Sequence, residues 1–387
     1  MKIAETVKMK VAYLDYSPVY GGAERVLDSM VRHLNRYRPL VIFPFPQVHH
    51  NRYTFDEGDR VYLAEGTQWW MGRDRWAHPP RGSDALARTI FGIRLVIILK
   101  KYGVRLLHVN LLRRDCMLWL LPARAVGVKI VGHWRSAATD WIPPNRVIRL
   151  CDRVVCVSDF NRRMLCEVCE TERSVRIYDC IEPFHIPQEE DRELKKLLAG
   201  LSPKVRLIIS VGQLTPYKGH DLAIEAFARI AIRHSDTVLL IAGGGSECER
   251  QRLNELIHKS GVGEGRILLP AIHFSDMDYL YRRAEVVLSL SHGGEAFGLV
   301  PYEAALAGRP FIGVDCGAIR EFVSDGVNGL LVRDNDAEGV ADRLECLLNN
   351  RGYGQRLADS LAGDVGKYLK PQVMTHQLEK LYDSLLL

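Results

Sequence analysis

From Lys10 onward the chain alternates short apolar, β-branched runs with stretches in which apolar residues recur every three to four positions. The runs lie at 11–16, 40–45, 61–64, 106–110, 129–133 and 154–158. After a polar, proline-bearing stretch at 183–196 a second series follows at 206–212, 238–243, 267–270, 286–291 and 311–315. Strand-like runs alternating with helical segments predict βαβ units and parallel sheets. The restart of the series predicts two doubly wound α/β domains joined near 188. Helices are well marked in the second half. Asp221 reads as an N-cap ahead of Leu222, Ala226, Phe227 and Ile230, which would face the sheet. Ser275 with Asp278 reads as a capping box, and residues 373–386 are amphipathic. Residues 46–90 break the pattern: they hold His49, His50, Trp69, Trp70, Trp76, Pro79, Pro80 and several arginines. A long aromatic segment of this kind predicts a lid or acceptor surface rather than disorder.

Composition narrows the picture. A length of 387 residues, 47% of them hydrophobic, suits two globular domains. The apolar stretch at 95–99 is bounded by Arg94 and Lys100, far short of a membrane span. The first ten residues carry charges and no apolar h-region, so no signal peptide is expected. Nine cysteines without framework spacing fit a reducing compartment, and the Cys166/Cys169 pair reads as helix-face cysteines. The net charge of +5 hides a split: residues 1–187 carry 29 Lys and Arg against 19 Asp and Glu, or +10, and residues 188–387 carry 23 against 28, or −5. A basic first half fits an anionic partner, a lipid-phosphate acceptor or an acidic leaflet. Arg73, Arg75, Trp76, Arg81 and Arg88 are the candidate contacts there, with Trp76, Ile90 and Phe91 able to enter an interface.

The chemistry-bearing segments sit where runs end. Glu295 and Glu303 bracket E-A-F-G-L-V-P-Y-E, in which Gly298 and Pro301 predict a tight turn into a helix beginning near Pro301. That places one carboxylate beside loop N–H groups and the other on a first helical turn, a seat for a sugar attached to a diphosphate. Gly21 and Gly22 follow the first run and precede the helical stretch 24–34, where backbone N–H groups approach a phosphate. Lys218 follows the run at 206–212, and a lysine there meets the charge that grows on a departing diphosphate. His133 and His292 each end a run. The strings at 276–278 and 334–336 carry paired aspartates, but helix capping accounts for both, and no metal is expected. The triple glycine at 243–245 lacks dinucleotide spacing, so no nicotinamide cofactor is expected.

Together these segments resemble the retaining nucleotide-sugar glycosyltransferases of the GT-B fold, family 4 type. Gly21-Gly22-Ala23-Glu24-Arg25 is similar to the family's N-terminal glycine loop, Val211-Gly212-Gln213 with Lys218-Gly219 to its phosphate-binding segment, and 295–303 to its E-x7-E signature. Residues 151–158 and 326–332 follow its habits too, and the match covers most of 10–345 in order. The resemblance implies two Rossmann-like domains facing a central cleft: 1–187 for the acceptor, 188–370 for the nucleotide-sugar, and 371–387 as a helix packing back on the first. It implies catalytic roles for His133, Glu295 and Lys218. Donor binding falls to Gly21, Gly22, Gln213, Lys218, Ala296, Phe297, Gly298, Leu299 and Glu303, the last taking the ribose hydroxyls. Gln213 stands where the family usually has an arginine. The implied reaction moves a hexosyl group from a UDP- or GDP-linked donor to a glycan, lipid-linked or small acceptor, with no metal, no cofactor and no nucleic acid. The implied place is the cytoplasm, peripheral to a membrane. Rival readings are a sugar-nucleotide epimerase, a phosphorylase, or a non-catalytic membrane-associated binding protein.

Overall fold

A computed structural model describes residues 8–17, 20–44, 52–56, 59–63, 85–136, 142–167, 171–182, 196–198, 200–202, 204–270 and 277–387, with backbone alone at 85–88 and 171. The chain divides into two compact units, Met1–Ile181 with Leu369–Leu387, and Glu182–Tyr368.

Unit 1 runs β1 (Lys10–Leu14), α1 (Gly22–Arg32), β2 (Arg38–Phe43), β3 (Arg60–Tyr62), α2 (Ala85–Lys101), β4 (Leu106–Val109), α3 (Met117–Ala125), β5 (Lys129–Trp134), α4 (Asn145–Ile148), β6 (Arg153–Cys156), α5 (Asp159–Cys166) and β7 (Ser174–Arg176). Its sheet is parallel throughout, in the order β3-β2-β1-β4-β5-β6-β7. Unit 2 runs β8 (Arg206–Val211), α6 (His220–Ile230), β9 (Thr237–Ala242), α7 (Glu247–Lys259), β10 (Ile267–Leu268), α8 (Met277–Arg283), β11 (Ala284–Ser289), α9 (Leu299–Leu306), β12 (Phe311–Val314), β13 (Leu330–Val332), α10 (Ala337–Asn349) and α11 (Arg351–Tyr368). Its sheet is also parallel, in the order β10-β9-β8-β11-β12-β13. A final helix, α12 (Pro371–Leu386), belongs to unit 1, burying Met374, Leu378 and Tyr382.

Each sheet reverses its strand order once, between β1 and β4 and between β8 and β11. Connections leave those neighbours toward opposite faces, which opens a crevice at the carboxyl ends of the strands. Each sheet has its own apolar core, and the central strands are buried on both faces, which is why they read as unbroken runs.

Several local expectations are corrected. The cap of α6 is Gly219 at φ 65°, not Asp221, which lies in the first turn and accepts the N–H of Leu222 at 3.0 Å. A Cβ on Gly219 would stand 1.9 Å from the Leu290 carbonyl oxygen, so the loop closes on the β11 loop only with glycine there. Helix α9 starts at Leu299, capped by Gly298, so Glu303 stands in its second turn. In α2, Phe91 is core with Leu95 and Leu99, while Ile93 and Ile97 are the exposed apolar residues. Within 46–90, Tyr53 and Phe55 are buried and β3 extends the sheet. Ser275, Asp276, Cys169 and most of the 183–196 join lie outside the described residues.

Candidate active site

The crevice between β8 and β11 gathers the charged groups of unit 2. Lys218, in the turn Pro216–Lys218 after β8, places its Nζ 2.8 Å from Glu295 Oε1. Glu295 follows β11, and Ser291 donates to the same oxygen at 2.6 Å. Burial pushes the Glu295 carboxyl up, but the Lys218 charge and these hydrogen bonds outweigh it and hold the group below its usual range, so it is ionised at neutral pH. The Tyr217 hydroxyl donates to the Gly294 carbonyl, and the His292 N–H donates to the Tyr217 carbonyl at 2.8 Å, stitching the two loops together. Gly294 has φ 82° and lies against the backbone of Gly317 too closely for any Cβ. Gly298 caps α9, while Ala296 and Phe297 are buried, Phe297 with its ring edge-on to Phe322.

The other donor-side residues are placed as follows. Gln213 is exposed, and its carbonyl and that of Gly212 both lie 3.2 Å from His220 Nε2. His220 Nδ1 meets Ser210 Oγ at 2.9 Å, and burial pushes this imidazole down, so it is neutral with Nε2 as the donor. Leu299 opens α9. Glu303 is 4% exposed, and its Oε2 accepts from the Tyr281 hydroxyl. Asp334 does not cap a helix: Asp336 caps α10, while Asp334 accepts from the Gly293 N–H at 2.9 Å and faces His292 Nδ1 at 2.8 Å.

Unit 1 carries a buried polar chain at its own switch point. His133, at the end of β5, is fully buried; its Nδ1 lies 3.1 Å from His108 Nε2 and its Nε2 3.3 Å from Asp179 Oδ1. His108 Nδ1 lies 2.5 Å from the Tyr382 hydroxyl, which meets the Tyr13 hydroxyl at 3.1 Å. Arg135 donates to Asp179 at 2.8 and 3.2 Å and to the carbonyl and side chain of Asn110. The Asp179 carboxyl is raised by burial, but the Arg135 and His133 contacts win and hold it at about 2. Burial first, then the Arg135 charge, push His133 down to about 4 against the pull of Asp179. A neutral imidazole facing a carboxylate carries its proton on Nε2. The order of donation is then fixed as Tyr382 to His108, His108 to His133, and His133 toward Asp179. Nearby, Glu24 of α1 is 3% exposed and accepts the Gly21 N–H at 2.8 Å, leaving its Oε1 unpartnered. Burial and the Asp15 charge push its carboxyl up to about 7.

Comparison with known proteins finds a family match for unit 2 and structures of similar fold for the whole chain. The group 1 glycosyl transferases match residues 191–361, nearly the whole of unit 2. A crystal structure of Anabaena Alr3699/HepE with UDP and glucose covers 97% of this chain and all of its own, with a TM-score of 0.78 at 17% identity. The chain has the GT-B fold. A sucrose-phosphate synthase of Thermosynechococcus elongatus shares the GT-B fold, with a TM-score of 0.76 over 98% of this chain and 99% of that one at 17% identity. The D-inositol 3-phosphate glycosyltransferase of Nocardia farcinica is 32% identical over 224 residues, 56% of this chain and 49% of that protein. An uncharacterized glycosyltransferase of Methanocaldococcus jannaschii is 28% identical over 219 residues, 55% of each chain. The chain spans about half the length of these curated relatives.

Against the GT-B expectation, the structure brings Lys218 and Glu295 into contact and sets Ala296, Phe297, Gly298 and Leu299 on the adjoining turn. Glu303 stands on the helix that follows. Gly21, Gly22 and His133 belong to unit 1. Arg73, Arg75, Trp76 and Arg81 lie outside the described residues, as does the side chain of Arg88. Among the described residues no cluster has the make-up of a metal site, and no helix is long and apolar enough to cross a membrane. Sequence reasoning passed over Ser291, Tyr217, Tyr281, His220, Asp179 and His108. Ser291 stands four residues before Glu295 and His220 directly after Gly219, so spacing could have drawn attention to them. Tyr281 and Asp179 reach their partners from more than twenty residues away and leave no local signal.

Proposed function

We propose that the chain transfers a hexosyl group from a nucleotide-diphosphate sugar with retention of anomeric configuration and without a metal ion. The observation that carries this reading is the ion pair of Lys218 and Glu295 at 2.8 Å in the β8/β11 crevice, bordered by a turn that only glycine-rich chain can follow. Lys218 is the one cation of that pair and the group to meet the departing diphosphate, whose negative charge grows as its bond to the sugar breaks. Glu295 keeps the ammonium charged and aimed while the site is empty. With a donor bound, the carboxylate and the N–H groups of 296–298 lie against the sugar, and Glu303 takes the ribose diol.

In the step itself the bond from the anomeric carbon to the phosphate oxygen breaks and a bond from that carbon to the acceptor oxygen forms on the same face. The acceptor's proton passes to the leaving phosphate. No side chain forms a covalent intermediate; Oε1 of Glu295 is taken by Lys218 and Ser291, which tie the carboxylate to the diphosphate lysine. His133, buried with both ring nitrogens facing protein groups, acts by holding the end of β5 rather than by exchanging protons. UDP is the favoured nucleotide of the donor, since structures of similar fold are complexes with UDP and UDP-glucose. A phosphorylated small polyol is the acceptor class suggested by the named activity of the inositol phosphate relatives, and the basic first half suits it or an anionic membrane surface.

The test is incubation with UDP-hexoses and candidate acceptors in EDTA. Acceptor-dependent release of UDP with an α-linked product from an α-linked donor is expected. Inverted product, or activity restored only by Mg²⁺ or Mn²⁺, would overturn retention or metal independence, and an isomerised donor would favour an epimerase.

A further inference from the structure

One histidine has an occupied place that the transfer reaction does not use. His292 leads the turn that carries Glu295, and both of its ring nitrogens face carboxylates: Nδ1 lies 2.8 Å from Asp334 Oδ1 and Nε2 lies 3.4 Å from Asp221 Oδ1. A neutral imidazole has one N–H and one lone pair, and a lone pair facing a carboxylate is repelled. Only the doubly protonated ring satisfies both contacts. The three groups come from three different segments. Asp221 is in the first turn of α6, just after Lys218 and Gly219. Asp334 follows β13, and its second oxygen accepts the N–H of Gly293.

We propose that His292, as an imidazolium shared by Asp334 and Asp221, is a positioning residue that clamps the Glu295 turn to the Lys218 loop and to the segment after β13, holding the site ready for a nucleotide diphosphate. The glycines at 293 and 294 have φ 68° and 82°, so this turn has little side-chain packing of its own and depends on such tethers. The clamp rests on the reading of the Lys218 and Glu295 crevice as the diphosphate site.

The charged neighbours define its pH range. Arg252 of α7 lies 3.5 Å from Asp221 Oδ2 and draws on the same carboxylate, while also pairing with Glu249. Glu225 and Arg229 of α6, Lys259 of α7 and Asn335 line the groove that His292 borders. Partial burial pulls the His292 imidazolium down, but Asp334 and Asp221 outweigh it and raise it above the ordinary 6.5. Being raised, the clamp is complete at pH 6.5 and below and is lost as pH climbs through the folded-state value.

The experiment pairs two readouts on the whole chain. Proton–carbon NMR of the His292 ring should titrate with a midpoint above 6.5 that falls in Asp334→Asn. UDP affinity by calorimetry, taken as the ratio of wild type to His292→Gln so that the ligand's own titration cancels, should be about fivefold at pH 6.5, as for a half-exposed ion pair. It should approach one by pH 9, where His292→Arg, still charged, should keep over His292→Gln the advantage that the wild type shows only at the lower pH. A midpoint at or below 6.5, or a ratio of one at every pH with UDP bound normally, overturns the clamp alone. No UDP binding by the wild type at any pH overturns the diphosphate site and the clamp with it.

Discussion

Glu295 and Lys218 illustrate how little a pair of charged residues says until their neighbours are known. The sequence places a lysine after one strand and a glutamate after another, 77 positions apart. Parallel topology with a reversal between β8 and β11 is what makes them neighbours, so this part of the site was legible once two doubly wound series were recognised. Glu303 was legible as a carboxylate but not as the acceptor of the Tyr281 hydroxyl, because nothing local ties residue 281 to 303. Replacing Lys218 with Ala should lower kcat roughly a hundredfold while leaving KM for the donor within a few fold, since the charge it meets grows toward the transition state. Steady-state kinetics showing a raised KM at unchanged kcat would contradict that. Glu24 supports a prediction on stability. Its carboxyl titrates at about 7 in the folded chain and near 4.5 when unfolded, so the folded state binds more protons between those values. Stability therefore falls as pH rises through that window. Glu24→Gln cannot ionise and still accepts the Gly21 N–H, so denaturant midpoints at pH 5 and 8 should lie closer together in the variant. An unchanged gap would mean that Glu24 is ionised throughout.

At the scale of elements, long runs were easy to read and short ones were not. The buried central strands announce themselves by unbroken apolar sequence, while β7 and β13 have three residues each, too few for any period to show. Helix α2 hid its orientation for the opposite reason. It is apolar nearly all round, so pattern alone gave no inward face, and only packing shows Phe91, Leu95 and Leu99 turned in with Ile93 and Ile97 turned out. Caps were missed where glycine does the work of a side chain, as at Gly219. Because a Cβ there meets the Leu290 carbonyl and φ is positive, Gly219→Ala should cost unit 2 about 2–4 kcal/mol, read as a lower unfolding midpoint, whereas an exposed helical substitution such as Glu225→Ala should cost well under 1. Equal midpoints for the two variants would show that the loop relaxes around the added methyl.

For the molecule as a whole, the charge split between halves was plain in composition, but its purpose needs a test. Exposed Ile93 and Ile97 lie on the basic unit, a pairing suited to an anionic leaflet. The chain should sediment with anionic vesicles at low salt and release as ionic strength rises, because exposed charges are screened beyond about 8 Å at physiological salt. Ile93→Ser with Ile97→Ser should weaken sedimentation severalfold without altering UDP affinity. Absence of sedimentation at low salt would leave a dissolved acceptor as the partner. The return of α12 to unit 1 has a separate consequence for biosynthesis. Unit 2 is one continuous stretch of chain, whereas unit 1 combines the strands before residue 182 with the helix at 371–386, whose Tyr382 joins the buried chain through His108 to His133. Unit 2 therefore emerges whole from the ribosome while the helix that completes unit 1 is still inside the tunnel, so the half begun first is the half finished last. Nascent chains stalled with residue 368 just outside the tunnel should yield a protease-resistant fragment from unit 2 and none from unit 1.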